Sequence, residues 1–108
     1  WESCYGEAEF NSKKFPDPAG MIKDLRELGF KRTTLWIHPF INMDCPSFKY
    51  AYDRKYFVKN KRKKQEITSW WQGSDAGLID FDNPLAIAWW RNRLEKLRTD
   101  FGITSFKC

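Results

Sequence analysis

The sequence predicts an α/β fold with parallel strands. Three observations predict it: an order of helix, glycine turn and strand that occurs twice, a strand segment that is apolar and β-branched throughout, and one very long connection between the two units. The first unit opens with Asp17 in the place of a helix cap and Pro18 at the first helical position. Met21, Ile22, Leu25 and Leu28 then recur at helical spacing until Gly29 ends the run. The following Thr33, Thr34, Leu35, Trp36 and Ile37 suit a strand buried on both faces, as in a parallel sheet, and Pro39 closes it.

The second unit repeats the order with different residues. Asn83 takes the cap and Pro84 the first position. Ile87, Trp90, Leu94, Leu97 and Phe101 form the apolar stripe, Gly102 is the stop, and a strand runs from Ile103 to Phe106. Short glycine turns leading from helix to strand, twice over, are the mark of βα units. The two units are too different in sequence to be an internal repeat.

Between them, roughly forty residues from Pro39 to Asp82 separate the first strand from the next helix, whereas βα loops ordinarily take about 2 to 6. A connection of that length at the C-terminal edge of parallel strands lies where α/β barrels assemble their active sites. Functional side chains are therefore expected after Ile37, around Trp70 and Trp71, and just past Phe106.

Composition narrows the partners. Nine Phe, six Trp and four Tyr among 108 residues exceed the needs of a core this size, and flat indole faces with a polar N–H suit concave ligand sites, sugar faces among them. The net charge of +5 has a local source, since Lys59, Lys61, Arg62, Lys63 and Lys64 fall within six residues. With no nucleic-acid recognition motif beside it, the run reads as a solvated loop tip, and no nucleic-acid partner is expected. No apolar run reaches membrane-spanning length, so a membrane would be met only through segments outside this chain. Cys4, Cys45 and Cys108 lack CxxC spacing, which argues against a zinc site or redox pair. At most two of them can pair, and the compartment stays open. No cofactor is called for.

The lone His38 stands at a strand end, where it orients a substrate, acts in proton transfer or is a satisfied structural histidine, and no spacing supplies a nucleophile for it to activate. Glu2, Asp44, Asp53, Asp75, Asp80 and Asp82 are the acidic candidates. Asp80 and Asp82 precede Asn83-Pro84, so helix capping explains at least one of them more simply than catalysis does.

Seven blocks in order carry a resemblance: Trp1-Glu2-Ser3-Cys4-Tyr5-Gly6, Lys14-Phe15-Pro16-Asp17-Pro18, Leu28-Gly29-Phe30, Leu35-Trp36-Ile37-His38-Pro39-Phe40-Ile41, Trp70-Trp71-Gln72-Gly73, Ile79-Asp80-Phe81-Asp82-Asn83-Pro84 and Gly102-Ile103-Thr104-Ser105-Phe106-Lys107. Together they resemble glycoside hydrolase family 31 across essentially the whole chain. The His-Pro-Phe and Phe-Lys versions are similar to a branch other than the lysosomal and intestinal α-glucosidases.

The resemblance implies a partial (β/α)8 TIM barrel over residues 1–108, taken from a retaining α-glycosidase that acts on α-galactosides or α-glucosides. It places the nucleophilic Asp directly after Cys108 and the acid/base Asp further on, so no carboxylate of this chain is expected to be catalytic. The substrate-binding positions it implies are Trp71, Lys107, Trp1, Ile41 and His38. Trp71 walls the subsite for the reacting sugar, and Lys107 replaces a Trp of the α-glucosidases, donating to a hydroxyl instead of stacking. The secretory pathway is the compartment it implies. The competing reading keeps the sugar surface and drops the reaction, giving a catalytically inactive carbohydrate-binding or regulatory module.

Overall fold

The computed structural model describes residues 1–108. In chain order the elements are α1 (Pro18–Glu27), β1 (Thr34–Trp36), β2 (Phe40–Asn42), α2 (Ser47–Asp53), β3 (Ile67–Trp70), β4 (Gly73–Leu78), α3 (Pro84–Phe101) and β5 (Ser105–Lys107). Both long helices start as their sequences dictate. Asp17 accepts from the Gly20 amide at 3.0 Å and Asn83 from the Leu85 amide at 3.0 Å, each just before a proline. Gly102 closes α3 in the left-handed region, at φ 79°, where its amide reaches the Arg98 carbonyl at 3.0 Å.

β1 and β5 pair in parallel, with Thr34 opposite Ser105, Leu35 opposite Phe106 and Trp36 opposite Lys107. The paired strands of the two βα units are therefore parallel, as expected. Burial on both faces of the first strand is not observed. Leu35 and Ile37 are buried, Thr34 is exposed and Trp36 is half-buried. One face of the strand packs on α1 and α3 through Ile22, Leu35, Leu97 and Ile103, while the other carries Trp36 away from that cluster. Two further residues of the helical stripes depart from the core. Leu28 is 76% exposed because α1 ends before it, and Ile87 is exposed because the buried line of α3 runs through Ala86 and Leu97.

The long connection is not a structureless loop. It folds into a three-stranded antiparallel sheet in the order β2, β4, β3, with α2 lying over it. Gly73–Leu78 reads GSDAGL, poor in β-branched residues, and its extended form comes from ladders on both sides rather than from propensity. Within this excursion Phe57, Ile41, Ile79 and Ala51 are sealed from solvent, packed with Cys45, Tyr56 and, from α3, Ala86. Burying Phe57 alone is worth about 2 to 3 kcal/mol.

Cys4 and Cys45 form a disulfide that ties the N-terminal segment to the end of β2, and Cys108 is free and exposed. The basic run is the tip of a β-ribbon. Lys59 bridges Gln65, and Asn60 Oδ1 accepts from the amides of Arg62 and Lys64, which leaves the cationic side chains exposed. No helix is long and apolar enough to cross a membrane.

Candidate functional site

The two sheets meet where β1 ends. The chain leaves β1 through Ile37, whose amide bonds the Lys107 carbonyl at 2.8 Å, passes His38 and Pro39, and enters β2. At this seam a cavity of about 350 Å3 opens between Trp36, His38, Phe40, Trp70, Trp71, Phe81 and Trp90, with Cys108 at its edge.

Aromatic rings set its shape. Trp36 lies 5.5 Å from Trp71 with ring planes 35° apart, and Phe40 stacks on Trp70 at 4.7 Å and 13°. Trp70 and Trp71 arrive through a two-residue hairpin, since Trp70 pairs with Gly73 and leaves Trp71 and Gln72 as the turn. A ring on such a turn projects beyond the sheet. Trp71 is 76% exposed accordingly.

His38 is held from behind. Its Nε2 lies 2.8 Å from Glu2 Oε1, with both side chains about 94% buried. Glu2 Oε2 accepts from the amides of Gly6 at 3.0 Å and Ala8 at 2.8 Å. Burial works to raise the Glu2 carboxyl, but the His38 hydrogen bond, the Ala8 amide, the charge of His38 and the Gly6 amide together hold it below the usual carboxylate range. An ionised Glu2 takes a proton-bearing Nε2, and His38 Nδ1 is left buried without a partner.

Nearby, Arg93 donates to the Gly6 carbonyl and lies over the Trp89 ring at 4.5 Å. Burial pushes its guanidinium down from the ordinary arginine value, against the charges of Glu7, Glu2 and Glu9. The enclosed space among Glu2, His38 and Arg93 is about 10 Å3, too small for a sugar ring.

Of the five expected binding positions, Trp71 and His38 line the cavity. Lys107 is the register partner of Trp36 and projects from the same face of the parallel pair. Trp1 does not line the cavity; its Nε1 donates to the Trp36 carbonyl at 2.9 Å and its ring packs on Phe10. Ile41 is 1% exposed, inside the excursion's core.

None of the acidic candidates lines the cavity. Asp80 Oδ1 holds the Asp82 amide at 3.0 Å in the turn before α3, whose cap is Asn83 itself. Cys4, Asp44 and Cys45 lie together, yet the disulfide leaves no thiolate to bind a metal.

Trp36 lines the cavity although residue patterns did not single it out as a site position. Trp36 was legible in principle, as the large side chain that alternates with Leu35 and Ile37 at the strand's C-terminal end.

Fold and cavity together define a class: a mixed α/β domain whose aromatic cavity sits at the C-terminal end of parallel strands. Over residues 1–108 the chain matches the Glycosyl hydrolases family 31 TIM-barrel domain, and it belongs to that family of glycoside hydrolases. It is 38% identical over 105 residues to the myogenesis-regulating glycosidase of Mus musculus, covering 96% of this chain and 14% of that protein. That protein represents the branch to which the His-Pro-Phe and Phe-Lys versions pointed. Identity to the alpha-xylosidase XylQ of Lactiplantibacillus pentosus is 37% over 101 residues, 92% of this chain and 13% of the relative. The dextranase of Flavobacterium johnsoniae, solved in complex with glucose, superposes with a TM-score of 0.83 at 25% identity, covering 98% of this chain and 13% of that one. The chain thus spans about one seventh of the length of the curated relatives it matches.

Proposed function

We propose that residues 1–108 are part of a (β/α)8 barrel and supply pocket walls to a retaining α-glycosidase that hydrolyses α-galactosides or α-glucosides. The observation that carries this reading is the seam cavity, where Trp36, Trp70 and Trp71 offer flat apolar faces at the strand ends on which a barrel builds its active site. Sugar rings present apolar C–H faces to such walls and direct their hydroxyls to the rim. Trp71 stacks on the reacting sugar. Lys107, from the same sheet face as Trp36, donates to a hydroxyl where a Trp would stack, and the branch that the chain resembles implies α-galactosides. His38 lines the floor, and Trp1 and Ile41 support it, the first through the Trp36 backbone and the second from within the core.

The reaction is a double displacement. A carboxylate following Cys108 attacks the anomeric carbon and forms a glycosyl-enzyme while an acid expels the leaving oxygen; the same group then activates water. A retaining pair stands about 5 to 5.5 Å apart, and this chain's contribution is to hold the sugar across that gap. The Cys4–Cys45 disulfide fits folding in an oxidising compartment such as the secretory pathway.

The test is hydrolysis of p-nitrophenyl α-galactoside and α-glucoside by the full-length protein, with the first-formed anomer followed by proton NMR. Turnover with retention is expected, and none from the 108-residue chain alone. Inversion, absence of turnover with the full-length protein, or turnover by the 108-residue chain above that of its Lys107→Ala variant, would contradict the proposal.

A further inference from the structure

Beside the Glu2–His38 pair, Glu7 and Asn42 are the polar residues that the fold buries. Glu7 is accounted for by Ser47, whose amide and hydroxyl both donate to it at the start of α2. Asn42 serves another end. Its Oδ1 accepts from Trp70 Nε1 at 2.7 Å and its Nδ2 donates to the Gln72 carbonyl at 3.0 Å. An indole N–H only donates and a carbonyl only accepts, so the amide has a single orientation that satisfies both. One side chain on β2 thereby grips two points of the turn between β3 and β4, 28 and 30 residues away.

The grip is close enough to dictate sequence. A Cβ at Gly73 would fall 2.4 Å from Asn42 Oδ1, so the residue after the turn must lack a side chain. Trp71 sits between the two gripped residues. It touches Trp36 and Trp70 with its ring while remaining 76% exposed. Packing alone is too sparse to fix a side chain so exposed, and its direction follows from the backbone of the turn.

We infer that Asn42 is the positioning residue of the aromatic wall: it locks the Trp70–Gly73 turn in the form that presents Trp71 beside Trp36, and so sets how tightly the cavity holds a sugar ring. The inference rests on the sugar-site reading above, and its test separates the two.

In the full-length protein, Asn42→Ala raises KM for p-nitrophenyl α-galactoside about tenfold and changes kcat less than about threefold, the pattern of lost uniform binding. Asn42→Asp keeps the acceptor for Trp70 but sets a carboxylate against the Gln72 carbonyl, and falls between wild type and Asn42→Ala. In a Trp71→Ala background Asn42→Ala adds less than about threefold, because both changes remove the same wall. A KM within about twofold of wild type, or an equal rise in both backgrounds, would overturn the inference. The 19F spectrum of 5-fluorotryptophan-labelled protein supplies a readout that needs no turnover. The Trp70 and Trp71 resonances shift or broaden in Asn42→Ala if the inference holds, and unchanged resonances refute it even should no α-glycoside be hydrolysed.

Discussion

The parallel pair β1 and β5 is backed by α1 and α3 over Ile22, Leu35, Leu97 and Ile103. The excursion between β1 and α3 instead carries its own antiparallel sheet, its own core around Phe57 and Ile41, and the Cys4–Cys45 disulfide. The first region is built from regular units whose strands present Trp36 and Lys107. The second is irregular in sequence and presents Trp70 and Trp71. The cavity lies between them, so its width depends on two cores that need not loosen together. Both cores draw on α3, which gives Ala86 to one and Leu97 to the other.

The largest effect should come from the disulfide. Replacing Cys4 and Cys45 by Ser removes a cross-link spanning 41 residues, worth about 4 kcal/mol by the chain-entropy argument. Hydrogen exchange should rise most in residues 1–10 and 40–58 while the β1 and β5 amides stay protected. Equal loss in both regions would break the distinction between them.

A smaller effect belongs to Glu2, which links the N-terminal segment to His38 at the seam. Its carboxyl is depressed in the folded protein, so the ionised form favours folding. That contribution is fully present above the ordinary carboxylate value and is lost as pH falls through the lower folded value. Urea unfolding from about pH 7 to about pH 3 should show wild type exceeding Glu2→Gln by a margin that shrinks on acidification. A margin independent of pH would mean that the Glu2 charge plays no part.

Much of the first region was legible in the sequence because local signals agree there. Asn83-Pro84 and Gly102 bracket α3, and Asp17-Pro18 starts α1. The excursion was not legible. Gly73–Leu78 is a strand by virtue of its partners, and the seven-residue α2 is too short to show a stripe. In the site, the long connection pointed to Trp71 and the strand end to His38 before the resemblance gave them roles, whereas the grip of Asn42 on Trp70 and Gln72 is a long-range contact that no local pattern encodes. The choice among three cysteines was likewise settled only by the fold, which brings the Cα atoms of Cys4 and Cys45 to 5.6 Å.

The central claim is that the rings at the seam hold a sugar. It is tested most directly by Trp71→Ala in the full-length protein, compared with wild type on p-nitrophenyl α-galactoside. The account predicts a KM raised about tenfold with kcat changed less than about threefold, equivalent to about 1.4 kcal/mol of lost binding. An unchanged KM in a folded variant would contradict it.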